Sequence, residues 1–120
     1  MYFQAIRGAI TIEEDTPEEI IKKTTKLLNE ILDKNNISYD DIVSIIFSST
    51  HDIKSQYPAV AARNIGMTNI PLFCCQEMFV EGSLEKCIRV LMHIQGEAPR
   101  SIKHIYLEKA KSLRPDLNLD

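Results

Sequence analysis

A chain of 120 residues, 44% apolar and 26% charged, has the balance of one ordinary globular domain, and that size buries about two-thirds of the surface its unfolded form exposes. A net charge of -3, with basic residues scattered along the chain, disfavours nucleic acid as a partner, and no apolar run approaches the roughly 20 residues of a membrane span. Three cysteines, two of them adjacent (Cys74, Cys75 and Cys87), suit neither a disulfide framework nor a metal site, and the three histidines lack ligand spacing. Reduced thiols in the cytoplasm and no metal are expected.

The opening MYFQAIRG reads as a first strand rather than a signal peptide, and residues 2–12 extend it. Gly8 interrupts that strand, permitting a bulge or a close backbone approach, with Arg7 just before it. Thr16-Pro17-Glu18-Glu19 is a helix start: Thr16 caps, Pro17 fits the first turn and Glu19 closes a capping box. From there Ile20, Ile21, Thr24, Leu27, Leu28, Ile31 and Leu32 recur at helical spacing up to Asn35-Asn36. That stripe is core.

After a turn at Tyr39-Asp40-Asp41, the run IVSIIFSS from Ile42 suits a strand covered on both faces, ending in the polar cluster 48–52. Residues 57–66 predict a short helix with Pro58 in its first turn and Gly66 as its stop. Residues 71–78 and 86–92 read as a hairpin about the turn Glu81-Gly82-Ser83, and 101–109 as a last strand by alternation. The expected class is therefore α+β, a mixed sheet with one long and one short helix in a single domain spanning 1–120.

Each hairpin strand carries one charge within its apolar run, Glu77 in the first and, past Lys86 at its start, Arg89 in the second. Alternation sets Arg89 with Cys87 and Leu91, opposite Ile88, Val90 and Met92. A cation among apolar neighbours needs an anionic partner, which is either Glu77 itself or a ligand. No Gly-rich phosphate loop, Gly-x-Ser-x-Gly elbow or histidine-based nucleophile arrangement is present. What remains is Arg7, Arg63, Arg89 and Arg114 with Glu77, Cys74, Tyr57 and Tyr106, a set suited to binding a small di-anionic acid through two-pronged guanidinium–carboxylate contacts.

In these residues the chain resembles the monofunctional bacterial chorismate mutases of the trimeric, pseudo-α/β-barrel class. The resemblance runs through IRGA, EEDTPEEI, the Ser48-x-Thr50-x-Asp52 stretch, YPA at Tyr57, CxQEM at Cys74, KCIRV at Lys86, HIYLEKA at His104 and LRPDL at Leu113. It implies conversion of chorismate to prephenate by an intramolecular Claisen rearrangement, on the route to phenylalanine and tyrosine, with no cofactor. It implies also that Arg89 donates to the ether oxygen, Arg7 and Tyr106 hold a carboxylate, and Glu77 accepts from the substrate hydroxyl with the Cys74 thiol nearby. Phe73, Cys74, Cys75 and Gln76 would wall the site, with Tyr57, Ala59, Arg63 and Leu113 on its flanks and Arg114 closing it. Sites between the subunits of a homotrimer follow from the same likeness.

Three positions depart from the family pattern. Val60 stands in place of a lysine, Phe73 in place of a small hydroxyl residue, and Tyr57 in place of phenylalanine. A non-catalytic trimeric sensor of aromatic-pathway acids and a small trimeric imine or enamine hydrolase are the alternatives; turnover of chorismate separates the first, ammonia release the second.

Overall fold

The computed structural model describes residues 1–113. Its elements are β1 (Tyr2–Thr11), α1 (Pro17–Asn35), β2 (Ile42–Ser49), α2 (Ala59–Asn64), β3 (Leu72–Gln76), β4 (Cys87–Gly96) and β5 (Ile105–Tyr106), with 3-10 turns at Tyr39–Asp41 and Glu108–Leu113. The strands form one mixed sheet in the order β3-β2-β4-β1-β5.

That order corrects the hairpin expectation. β3 runs parallel to β2, β4 runs antiparallel to it, and β2 lies between them. The chain from 77 to 86 turns at Gly82 (φ 83) but crosses the end of β2 instead of folding straight back. A turn signal fixes that the chain reverses, not which strand it then meets. The last strand is corrected too: only Ile105 and Tyr106 pair, with Gly8 and Ala9 of β1, before Glu108 enters φ 54 and starts the 3-10 turn.

β1 passes through Gly8 without a bulge, in register with β4 from Tyr2 opposite Gly96 to Thr11 opposite Cys87. Gly8 serves close approach: a Cβ there would lie 2.9 Å from Ile31 Cδ1 and 3.0 Å from the Ile105 carbonyl oxygen. α1 thus sits down on the sheet over Gly8, and Ile20, Leu27, Leu28 and Ile31 of its inner stripe are fully buried against Ile6, Ile10, Ile45, Phe47, Ile88 and Met92. Thr16 caps α1 by accepting from the Glu19 amide (3.2 Å), but the Glu19 carboxylate accepts from the Glu13 amide (3.2 Å), so the expected reciprocal box does not close. At the far end Asn36 takes a left-handed conformation (φ 52), and Arg100 donates to the carbonyls of Asn35 and Asn36 and to Asp41. α2 is shorter than expected, with Pro58 just before it and Gly66 (φ 101) after it.

Both helices lie on one face of the sheet. On β2 the buried residues are Ile42, Ile45 and Phe47, while Ile46 and Ser48 on the other face are only half-buried. Among the described residues the expected cover on both faces of β2 is absent. This uncovered face carries Arg7, Ser48, Leu91 and Arg89.

Candidate active site

Strand alternation and register assemble the first group of residues. Ser48 of β2 and Ala9 of β1 flank Arg89 of β4, and Arg7 of β1 lies opposite Leu91. Across β5, Tyr106 pairs with Ala9 and is buried in a small cluster with Ala9, Cys87 and Ala110, against which Leu113 packs. Arg7, Arg89 and Tyr106 line one open cavity of about 280 Å³, floored by Gly8, Ile46, Val90 and Leu91. Two guanidinium groups and a tyrosine therefore converge on one concave, partly apolar surface.

Glu77 lies just beyond the end of β3, where its amide donates to the Ser49 carbonyl (2.8 Å). Its Oε1 accepts from Ser48 Oγ at 2.8 Å and stands 3.2 Å from Arg89 Nε. That ionic contact is not a hydrogen bond, and among the described residues the buried Arg89 Nε has no hydrogen-bond partner. A third of each side chain is open to solvent, 34% for Arg89 and 30% for Glu77. The two charges expected from the sequence thus do meet, yet the meeting leaves a donor unused. A buried unused donor is costly unless a ligand supplies the acceptor.

The second group gathers around a larger cavity of about 560 Å³. Tyr57, Cys74, Cys75 and Gln76 line it together with the 49–56 segment, which includes His51, Lys54 and Ser55. Cys74 is half-buried; burial pushes its thiol pKa up, against the lowering influence of the Ala59 backbone and the Arg63 charge. The thiol is therefore neutral near pH 7. Ala59 is buried at the start of α2, Arg63 is exposed on it, and Phe73 is exposed on β3. None of these three lines either cavity among their described walls, and the two cavities share no residue. Arg114 lies outside the described residues.

Sequence reasoning singled out neither Ser48 as the donor to Glu77 nor His104, whose Nδ1 accepts from the Arg7 amide at 2.9 Å. Both contacts depend on cross-strand register, although the polar run 48–52 at a strand end was a usable signal for the first. Among the described residues no group of three or more His, Cys, Asp or Glu side chains is placed to hold a metal ion.

Residues 3–117 match the family model described as chorismate mutase type I. The chorismate mutase AroH of Bacillus subtilis is 46% identical over 121 residues, covering 99% of this chain and 95% of the relative. The protein of the same name from Thermus thermophilus is 47% identical, with 95% of each covered. The solved structure of a chorismate mutase from Clostridium thermocellum superposes with a TM-score of 0.88 at 50% identity, covering 91% of this chain and 98% of that one. With the match running nearly end to end, the chain belongs to the type I chorismate mutase family.

Proposed function

We propose that this chain, an isomerase by its family, rearranges chorismate to prephenate at a site completed between neighbouring copies, with Arg89 as its chief catalytic residue. The observation that carries the assignment is the Arg89 guanidinium: its Nε is buried without a hydrogen bond while Arg7 and Tyr106 line the same cavity. The rearrangement breaks an ether C–O bond and forms a C–C bond within one molecule, so no nucleophile, base or cofactor is required. What lowers the barrier is holding the di-anion in its compact conformer and meeting the negative charge that grows on the ether oxygen. Arg7 and Tyr106 hold a carboxylate, Arg89 donates to the ether oxygen, and Glu77, already oriented by Ser48, accepts from the ring hydroxyl. Cys74, Cys75, Gln76 and Phe73 wall the site, with Tyr57, Ala59 and Arg63 on its flank and Leu113 and Arg114 at its closing edge.

The reading that each site takes one half from each of two copies is supported by the two cavities having no residue in common. The exposed apolar run Met78, Phe79 and Val80, 53–77% accessible, supports a covered assembly, and a head-to-tail contact closing on itself as a homotrimer gives three equal sites. Three unpaired cysteines among the described residues fit a reducing cytoplasm.

Loss of chorismate ultraviolet absorbance, with prephenate identified by acid conversion to phenylpyruvate, tests the reaction. Mixing Arg89→Ala chains with Arg63→Ala chains after unfolding tests the assembly. Shared sites restore up to about a quarter of wild-type activity in a 1:1 mixture, since half the copies offer each intact side. Sites built within one chain restore none.

A further inference from the structure

The segment joining β2 to α2, residues 50–58, forms most of one wall of the larger cavity, yet it has neither helix nor strand to satisfy its amides. One end is tied to β4: the Asp52 carboxylate accepts from the Lys86 amide (3.0 Å), and the Thr50 amide donates to the Cys87 carbonyl (3.0 Å). The middle is held from elsewhere. Asp15, in the β1–α1 connection, accepts at Oδ1 from the Lys54 amide (3.1 Å), the Ser55 amide (3.1 Å) and Ser55 Oγ (2.8 Å), and at Oδ2 again from the Lys54 amide (3.0 Å). Two residues further on, Tyr57 stands exposed at the cavity mouth, its amide donating to the Gln56 side chain.

We infer that Asp15 is a positioning residue for the substrate site: it does not itself line the cavity but fixes the 53–56 loop that does, and through it the placement of Tyr57. The inference rests on the larger cavity being the second half of the chorismate site. Three donors on one carboxylate oxygen make a clamp that no other side chain in this loop duplicates among the described residues, and a wall left to move would widen the mouth without disturbing Arg89. Asp15 belongs to the loop just before Thr16, the α1 cap, so the wall is registered against the start of the long helix, which is itself seated on the sheet. Burial acts to raise the Asp15 carboxyl, but the Ser55 hydroxyl and the two amides outweigh it and leave its pKa below the ordinary value, in keeping with a carboxylate held charged by its donors.

Chorismate kinetics on Asp15→Ala, Asp15→Asn and Tyr57→Ala, with amide exchange at Lys54 and Ser55, test the assignment. Asp15→Asn keeps an acceptor at Oδ1 for all three donors but loses the contact that Oδ2 receives from the Lys54 amide, so it retains the clamp in part. Expected are a rise of about fivefold or more in KM for Asp15→Ala with kcat within twofold, a smaller rise in KM for Asp15→Asn, and faster exchange of both amides in Asp15→Ala. An unchanged KM in Asp15→Ala beside a raised KM in Tyr57→Ala overturns the role of Asp15 alone. Parallel losses of kcat and thermal stability in both Asp15 variants overturn it as well, since those mark a purely structural residue. An unchanged KM in Tyr57→Ala removes the cavity from the site, and with it the reading beneath this one.

Discussion

At the scale of single residues, charge is the informative signal. Arg89 and Glu77 stood out in the sequence because each is a lone charge beside apolar residues, and the structure places them 3.2 Å apart. Their hydrogen-bonding environment was not legible, since Ser48 and Arg89 are neighbours only through the β2–β4 register. Arg89→Ala is expected to lower kcat by a factor of 100 or more, about 3 kcal/mol of lost transition-state stabilisation, and Arg89→Lys to be nearly as poor because an ammonium lacks the planar fork. Steady-state kinetics on folded protein reads both, and near-normal turnover in either would take the chemistry away from this residue. Cys87 makes a separate case: burial raises its pKa to about 11, so the thiol stays neutral at pH 8 and out of reach. Alkylation followed by mass spectrometry should therefore leave Cys87 unlabelled in native protein and label it in urea.

Among the elements, periodicity revealed which segments form and stayed silent on which neighbours they choose. α1 was legible almost to its last residue because the cap, the proline and the apolar stripe agree. The pairing of β3 and β4 with β2 was not, because a Gly-containing turn has the same residues whether or not another strand is inserted. Asn35 illustrates a contact no local pattern reveals: buried at the end of α1, it donates to the Ile31 and Lys103 carbonyls and accepts from the Lys103 amide. Asn35→Ala strands both groups of Lys103 and should cost about 1–3 kcal/mol, seen as a lower urea midpoint at unchanged slope. Glu108 ties the C-terminal turn to α1 through Lys23 (2.6 Å) and Lys26 (3.3 Å). The hydrogen bond from Lys23 holds Glu108 below 4.5 against the effect of burial, with Lys26 assisting, while the same bond raises Lys23 above 10.5. A depressed carboxyl stabilises above its unfolded pKa and loses that contribution as pH falls through its folded value. Glu108→Gln should consequently melt below wild type at pH 7, and the two melting temperatures should draw together as pH falls below 4.5 and through the lowered folded value.

For the whole molecule, the α+β class was readable from the alternation of strand and helix signals, but it was not readable that β2 is covered on one face only among the described residues. IVSIIFSS reads as a strand covered twice because Ile46 is as apolar as Ile45, and within one chain only Ile45 is buried. A second cover for Ile46 and Leu91 would come from another copy, and the molar mass in solution should accordingly be three times that of the 13.7 kDa chain. Light scattering on dilute protein measures it directly. A single-chain mass with full activity would mean that one copy carries a complete site.

The central place of β4 also governs how the chain reaches this structure. β4 pairs along its length with β1 on one side and β2 on the other, so Tyr2 waits for Gly96 before the middle of the sheet exists. Pairings between segments so distant in sequence form slowly, because the intervening chain must be closed before any contact rewards it. During synthesis β1, α1 and β2 emerge with two unsatisfied strand edges and an apolar stripe uncovered, a period in which a growing chain is open to aggregation and to chaperone capture. The segment that joins β1 to the β2–β3 pair is the one bearing Arg89, and a chain stopped before Cys87 lacks both that central strand and the cation proposed to meet the substrate.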